Sequence, residues 1–181
     1  ILRSAFLAHF SDIDHGLRGR HRWTLHRYSD GLASPGPYAQ ALQPLLNNAF
    51  SGLYPNYSVD YTKMKVSKGN LIKPSDIVMA CDAGTLQLNW SPLVSRYGAF
   101  ADDELTVLIY NPAKNIYLPA EGATRIEAEL ALALPADYVG DTIHVFMFYT
   151  SRELIKRSES VYAGELVRQG AIGKVIQTVN L

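Results

Sequence analysis

Thr124-Arg-Ile-Glu-Ala-Glu-Leu-Ala-Leu-Ala-Leu134 and Thr142-Ile-His-Val-Phe-Met-Phe-Tyr-Thr150 are the two stretches that decide the fold class. In the first, apolar residues alternate with polar ones such as Arg125 and Glu127, which is typical of a half-buried strand. The second is apolar on both faces, which indicates a strand inside a sheet. The turn-rich residues 135–141 between them predict a β-hairpin.

Other alternating segments follow from Pro55 onward, with turn residues between them and no intervening helical pattern. A chain of 181 residues with many short strands is long enough for one domain with a genuine core. The pattern therefore predicts a mainly β fold, an antiparallel β-sandwich of immunoglobulin or fibronectin-III type. The segments are 57–61, 63–68, 86–90, 105–110, 116–118 (ending at Pro119), 160–167 and 174–179.

Three regions are expected along the chain. Residues 1–55 read as a helical, basic N-terminal arm, because residues 38–51 carry apolar side chains at helical spacing. Residues 56–167 form the predicted sandwich domain. Residues 168–181 form a strand-like C-terminal tail.

Composition excludes several function classes. Lys+Arg and Asp+Glu number 17 each, so the chain has no global attraction to polyanions. The single cysteine, Cys81, rules out an intrachain disulfide and a cysteine-based zinc cluster, and its apolar surroundings predict a buried, inert thiol. No apolar run approaches the ~20 residues of a membrane-spanning helix. Residues 1–10 lack the pattern of a signal peptide, and the sequence does not indicate the cellular compartment.

The stretch from Arg18 to Tyr28 is the nearest approach to a functional patch. Its arginines are suited to phosphates and its aromatic rings to stacking on bases, so single-stranded nucleic acid is one conceivable ligand. The alternative is a segment in contact with another subunit, its arginines paired with acidic neighbours. The candidate interaction residues here are Arg18, Arg20, Arg22, Trp23 and Arg27.

We predict no catalytic, cofactor-binding or metal-binding residues. The N-terminal histidines match no zinc spacing, and no nucleophile elbow, P-loop or dinucleotide fingerprint is present. His144 alternates within an apolar strand, which favours a structural role. Asp102-Asp103-Glu104 lacks the glycine and spacing of a calcium loop, so we expect a solvated loop.

Aromatic residues leave a second possibility open. Most of the 11 tyrosines flank or occupy predicted strands, where packing at the edge of the core explains them better than ligand contact. If Trp90, Tyr97 and Tyr117 were exposed and coplanar, they would form a platform for carbohydrate or another small ligand.

Five strings, occurring in order between about residues 38 and 166, resemble an uncharacterised family of small bacterial proteins, mainly from Bacteroidetes. The family is known only as a domain of unknown function. The resemblance implies an N-terminal helical segment leading into a β-sandwich and assigns no catalytic residues. The strings are 52–63, 67–71, 108–115, 134–141 and 160–164.

The tail extends past the usual end of that family, and its apolar strand could pair with the sheet edge of a neighbouring subunit. Val175, Ile176 and Val179 are the candidate residues. We therefore predict a non-enzymatic structural or interaction protein without cofactors. It would assemble with itself or other protein subunits through its terminal extensions, as in a surface appendage, envelope layer or phage-like particle. The alternatives are the carbohydrate-binding module and the nucleic-acid-binding segment.

Overall fold

The structure is a computed structural model that describes residues 49–53, 56–168 and 175–179. This part of the chain contains ten strands and two short 3-10 helices. The strands are β1 Phe50–Leu53, β2 Asn56–Val59, β3 Ile77–Asp82, β4 Thr85–Asn89, β5 Glu104–Asn111, β6 Ile116–Thr124, β7 Glu129–Ala133, β8 Thr142–Thr150, β9 Val161–Val167 and β10 Val175–Val179; the helices are Tyr61–Lys63 and Ala136–Tyr138.

The strands form two four-stranded sheets and one hairpin. The first sheet has the order β10-β3-β4-β7 and the second has the order β6-β5-β8-β9, while β1 pairs with β2. Every named pairing is antiparallel. The prediction of a mainly β fold with antiparallel sheets is therefore confirmed.

β8 lies inside the second sheet, as its sequence predicts. It pairs with β5 on one side and β9 on the other, and all its residues except Thr142 are buried. Ile143, Val145 and Met147 join the core, whereas Phe146 packs in a separate cluster on the other face. Two buried faces explain why this strand shows no polar alternation.

The predicted hairpin between residues 124–134 and 142–150 is wrong. β7 pairs with β4 in the first sheet, so residues 135–141 carry the chain from one sheet to the other. A turn after Thr124 and the left-handed backbone of Ala128, with φ of 59°, divide the first predicted strand. Only its second half remains, as a strand of the neighbouring sheet.

One apolar cluster joins the two sheets. It contains inward-facing residues of β3 and β4 and of β5, β8 and β9, together with Trp90 and Tyr138. Because successive side chains along a strand point to opposite faces of the sheet, the alternate residues of these strands lie outside this cluster. The largest contributors from the strands are Ile77, Met79, Leu86, Leu88, Leu105, Ile109, Ile143, Met147 and Tyr149.

The predicted helical N-terminal arm is not supported by the few of its residues that the structure describes. Residues 1–48 lie outside the described part, but Phe50–Leu53 is a strand paired with β2, and the Ser51 and Ser58 hydroxyls lie 2.7 Å apart. Cross-strand pairing satisfies this backbone and outweighs the helical spacing. The prediction that a strand ends at Pro119 is also wrong: β6 continues to Thr124, because an edge strand tolerates proline.

Candidate functional site

Four loop segments meet at one end of the two sheets. Glu104 at the start of β5 pairs with Thr124 at the end of β6 and with Thr150 at the end of β8, so the adjoining loops emerge side by side. The segment before β3 joins them, since the Ile72 amide donates to the Gly98 carbonyl at 2.7 Å. We call this region the loop end; it comprises residues 68–76, 91–103, 125–128 and 151–157.

The loop end carries most of the exposed apolar side chains. Among the described residues, seven of the ten large apolar side chains that are exposed lie here. Tyr97 and Ile155 stand out, with 86% and 81% of their surface accessible. Apolar groups concentrated on loops at one end differ from scattered surface residues, which need no explanation. The seven are Leu93, Val94, Tyr97, Phe100, Ile126, Leu154 and Ile155.

A buried ion pair joins these loops to the core. The Arg125 guanidinium donates to Oδ2 of Asp103 from Nε at 3.2 Å and from Nη2 at 3.0 Å, and both side chains are only 1% exposed. Nη2 also donates to the Ile72 carbonyl at 2.8 Å. The guanidinium carbon lies 3.7 Å from the centre of the Tyr149 ring. One side chain thus connects the segments that contain residues 72, 103 and 149.

Backbone contacts reinforce this junction. The Arg125 amide donates to the Asp103 carbonyl at 2.9 Å, and the indole of Trp90 donates to the Arg125 carbonyl at 3.1 Å. The Phe100 amide donates to the same Oδ2 of Asp103 at 2.9 Å. Oδ2 of Asp103 thus accepts three hydrogen bonds, which give the loops a fixed base, whereas Oδ1 is buried without a hydrogen-bond partner in the described part of the chain.

Sequence reasoning placed Arg125 and Asp103 wrongly on solvent-facing positions. Arg125 was expected opposite the apolar face of a strand, and Asp103 in a solvated loop. The missed signal is Thr124-x-x-Glu127: both the amide and the hydroxyl of Thr124 donate to Oε2 of Glu127. The Glu127 amide in turn donates to the Thr124 carbonyl at 3.2 Å, so these contacts close the turn that contains Arg125.

The β8–β9 loop is held at its base and exposed at its tip. The Ser151 hydroxyl accepts from the Lys156 amide at 3.1 Å, and the Leu71 amide donates to the Arg157 carbonyl at 3.0 Å. A Cβ at Gly69 would overlap that same carbonyl, so the two segments approach more closely than a larger residue allows. Residues 152–156 are left facing solvent.

A tyrosine–histidine cluster covers the outer face of the second sheet. Its members are Tyr61, Tyr110, Tyr117, His144 and Tyr162. Tyr61 stacks on His144 with ring centres 3.7 Å apart, and Nδ1 of His144 lies 2.9 Å from the Tyr162 hydroxyl. The last contact gives His144 a polar partner within the packed layer.

Burial keeps this cluster uncharged at neutral pH. It raises the pKa of Tyr61 to about 12 and raises the pKa of Tyr110, Tyr117 and Tyr162 as well. It lowers the pKa of His144, and Glu165 opposes that shift from a mostly exposed position 3.6 Å away. Desolvation outweighs the ion pair because Glu165 is largely hydrated. The cluster is therefore a second apolar layer, with Met64, Leu108 and Phe146.

The predicted interaction residues fall in two places. Arg18, Arg20, Arg22, Trp23 and Arg27 lie outside the described residues. Val175, Ile176 and Val179 belong to β10, which pairs with β3 of the same chain. The predicted inert thiol lies close by: Cys81 is buried opposite Val175, and burial raises its pKa.

The three rings considered for a carbohydrate platform belong to different surroundings. Trp90 is 4% exposed and lies in the core between the sheets. Tyr117 packs in the tyrosine–histidine cluster, and Tyr97 projects from the loop end. Within residues 49–53, 56–168 and 175–179, no group of three or more His, Cys, Asp or Glu side chains could hold a metal ion. The described helices include none that is long and apolar enough to cross a membrane.

A comparison with protein-family models matches residues 27–164 to a family of unknown function, DUF6266. The chain belongs to this family. The match supports the resemblance seen in the sequence and ends within β9, so β10 lies beyond it. A search of the curated proteins finds no match to the chain.

Proposed function

We propose that this chain is a non-enzymatic structural or interaction protein, a subunit that assembles with copies of itself through the loop end. The observation that carries the proposal is the concentration of seven exposed apolar side chains on loops with a rigid base. Exposed apolar surface costs solubility, so its concentration at one place favours a surface that another protein covers.

The chemistry of the loop end supports protein as the partner. Interface cores are enriched in aromatic and large apolar residues, as Tyr97, Phe100 and Ile155 would supply. Charges at the rim are of both signs, and Arg152 and Asp102 already pair with each other at 3.6 Å. Because these charges are mixed in sign, a protein surface suits the loop end better than a polyanion.

We further infer that the two sheets form a sandwich of the immunoglobulin or fibronectin-III type. Support comes from the strand order, with β3-β4-β7 in one sheet and β6-β5-β8-β9 in the other, and from the apolar cluster that they share. In such sandwiches, loops gather at the two ends and one end commonly binds partners. This fold-level analogy agrees with the loop end as the binding surface.

Light scattering on the full chain across a concentration series tests the proposal. We expect the mass of the wild-type protein to rise above the 20.0 kDa of one chain. The triple variant Leu93→Ser, Tyr97→Ser and Ile155→Ser should lower the association constant at least tenfold, because it removes apolar contact area.

A matched control removes the same kind of residue from the opposite end. The triple variant Ile116→Ser, Val139→Ser and Val167→Ser changes the other exposed large apolar side chains of the described part. It should associate like the wild type. A wild-type mass of one chain at every concentration, or equal losses from both triple variants, would contradict the proposal.

A further inference from the structure

We propose that β10 is an exchangeable strand: β10 of one copy pairs with β3 of a second copy in the register seen within one chain. This inference rests on the proposed self-assembly and names a contact additional to the loop end. The partner is thus a second copy of this chain, and the site is the β3 edge of the first sheet.

The first observation is the complementarity of β10 and β3. The register joins Val175 to Cys81, Gln177 to Met79 and Val179 to Ile77, so these residues of β10 stand opposite core residues of β3. A strand that pairs with β3 must therefore adopt this register. A second copy offers the same sequence and so the same pairing.

The second observation is the position of β10 in the chain. It follows β9, which belongs to the other sheet, and residues 168–174 separate the two strands in the sequence. It also lies outside residues 27–164, which match the family. Exchange between copies would preserve every β10–β3 pair, so the closed and exchanged forms differ mainly in chain entropy and protein concentration.

The third observation concerns edge protection. Each sheet has two edge strands, and natural edges carry charges or proline that discourage pairing with other chains. β6 contains Pro119 and Glu121, β7 contains Glu129, and β9 contains Glu165. β10, with the sequence Val-Ile-Gln-Thr-Val, has neither a charge nor proline. Among the edge strands of the two four-stranded sheets, β10 is the one whose sequence carries neither feature.

A disulfide that can form only between copies tests the exchange. Wild-type protein, whose only cysteine is Cys81, is mixed with the double variant Cys81→Ser, Val175→Cys, and the two are unfolded and refolded together. Oxidation at alkaline pH favours the thiolate of Cys81, whose pKa is raised. Directly opposed residues of antiparallel strands lie within disulfide range. We expect a covalent heterodimer on a non-reducing gel.

Two controls define the outcome. The variant Cys81→Ser, Ile176→Cys places the thiol opposite Ala80, on the other face, and should give at least tenfold less heterodimer. The single variant Val175→Cys can close the same disulfide within one chain, which shows that the bond forms at this position. An intrachain disulfide there with no heterodimer in the mixture would overturn the exchange.

Light scattering separates the two ideas. A wild-type mass above one chain without the heterodimer would leave assembly through the loop end standing and remove strand exchange. A wild-type mass of one chain without the heterodimer would remove both. Homodimers of the Val175→Cys double variant in place of the heterodimer would indicate edge-to-edge contact of two β10 strands and would also overturn the exchange.

Discussion

The connecting segments at the two ends of the sheets are held in place by different contacts. At the end opposite the loop end, which we call the turn end (residues 111–116 and 135–141), Asn111 closes a short turn. Its Oδ1 accepts from the Ala113 and Lys114 amides, and its Nδ2 donates to Asp141 at 2.8 Å. The loop end instead holds long loops with a buried ion pair. The turn end is thus held by one buried neutral side chain, whereas the loop end is held by a buried ion pair.

Removing the buried ion pair between Arg125 and Asp103 should lower the free energy of unfolding more than any other change proposed here. Arg125→Met leaves Asp103 buried without its cation, and breaking a buried pair in this way typically costs about 3–5 kcal/mol of the free energy of unfolding. Urea unfolding measures the change. The control Arg152→Met breaks an exposed pair with Asp102 at the same end and should cost less than about 1 kcal/mol.

A second substitution sharpens this result. Adding Asp103→Leu to Arg125→Met removes the orphaned carboxylate, so we expect the double variant to be more stable than Arg125→Met alone. If both single variants at residues 125 and 152 were equally mild, the ion pair would not be the anchor of the loop end. The two ends would then not differ in their dependence on a buried ion pair.

Substitution at the turn end should lower the free energy of unfolding by less. Asn111→Ala removes three hydrogen bonds from a buried residue and leaves two turn amides to find water, so we expect a loss of about 1–3 kcal/mol. The control Lys114→Ala removes only ion pairs near the surface, with Asp141 at 3.3 Å and with Asp137 at 3.9 Å. It should cost less than about 1 kcal/mol. A loss as large as that of Arg125→Met would show that both ends depend on a buried polar anchor.

Local pattern predicted individual strands better than their pairing. β8 has the predicted bounds, Thr142–Thr150, because two buried faces leave an unmistakable apolar run. Its predicted partner was wrong, since a turn-rich connection looks the same whether it closes a hairpin or crosses between sheets. Periodicity reports which face is buried but not which strand lies alongside.

The loop end shows the limit of the sequence most clearly. A lone arginine among alternating residues reads as solvent-facing, since arginine is rarely buried without a partner. Its partner, Asp103, lies 22 residues earlier in the chain, and nothing local connects the two. The Thr124-x-x-Glu127 sequence was a usable local signal for the turn. Exposed loop residues carry no periodicity, so their gathering at one end follows only from the topology.

The last prediction concerns His144 of the tyrosine–histidine cluster, whose protonation should lower stability only at acidic pH. Burial lowers the pKa of His144, so the unfolded chain binds a proton at a higher pH than the folded chain does. The stability that His144 contributes is therefore complete above its unfolded pKa, near 6.5, and declines as the pH falls toward the folded pKa. Unfolding free energies measured by urea between neutral and mildly acidic pH should decrease more for the wild type than for His144→Gln. If the nearby Glu165 carboxylate governed His144 instead, acidification would stabilise the wild type relative to the variant, and the sign of the difference would reverse.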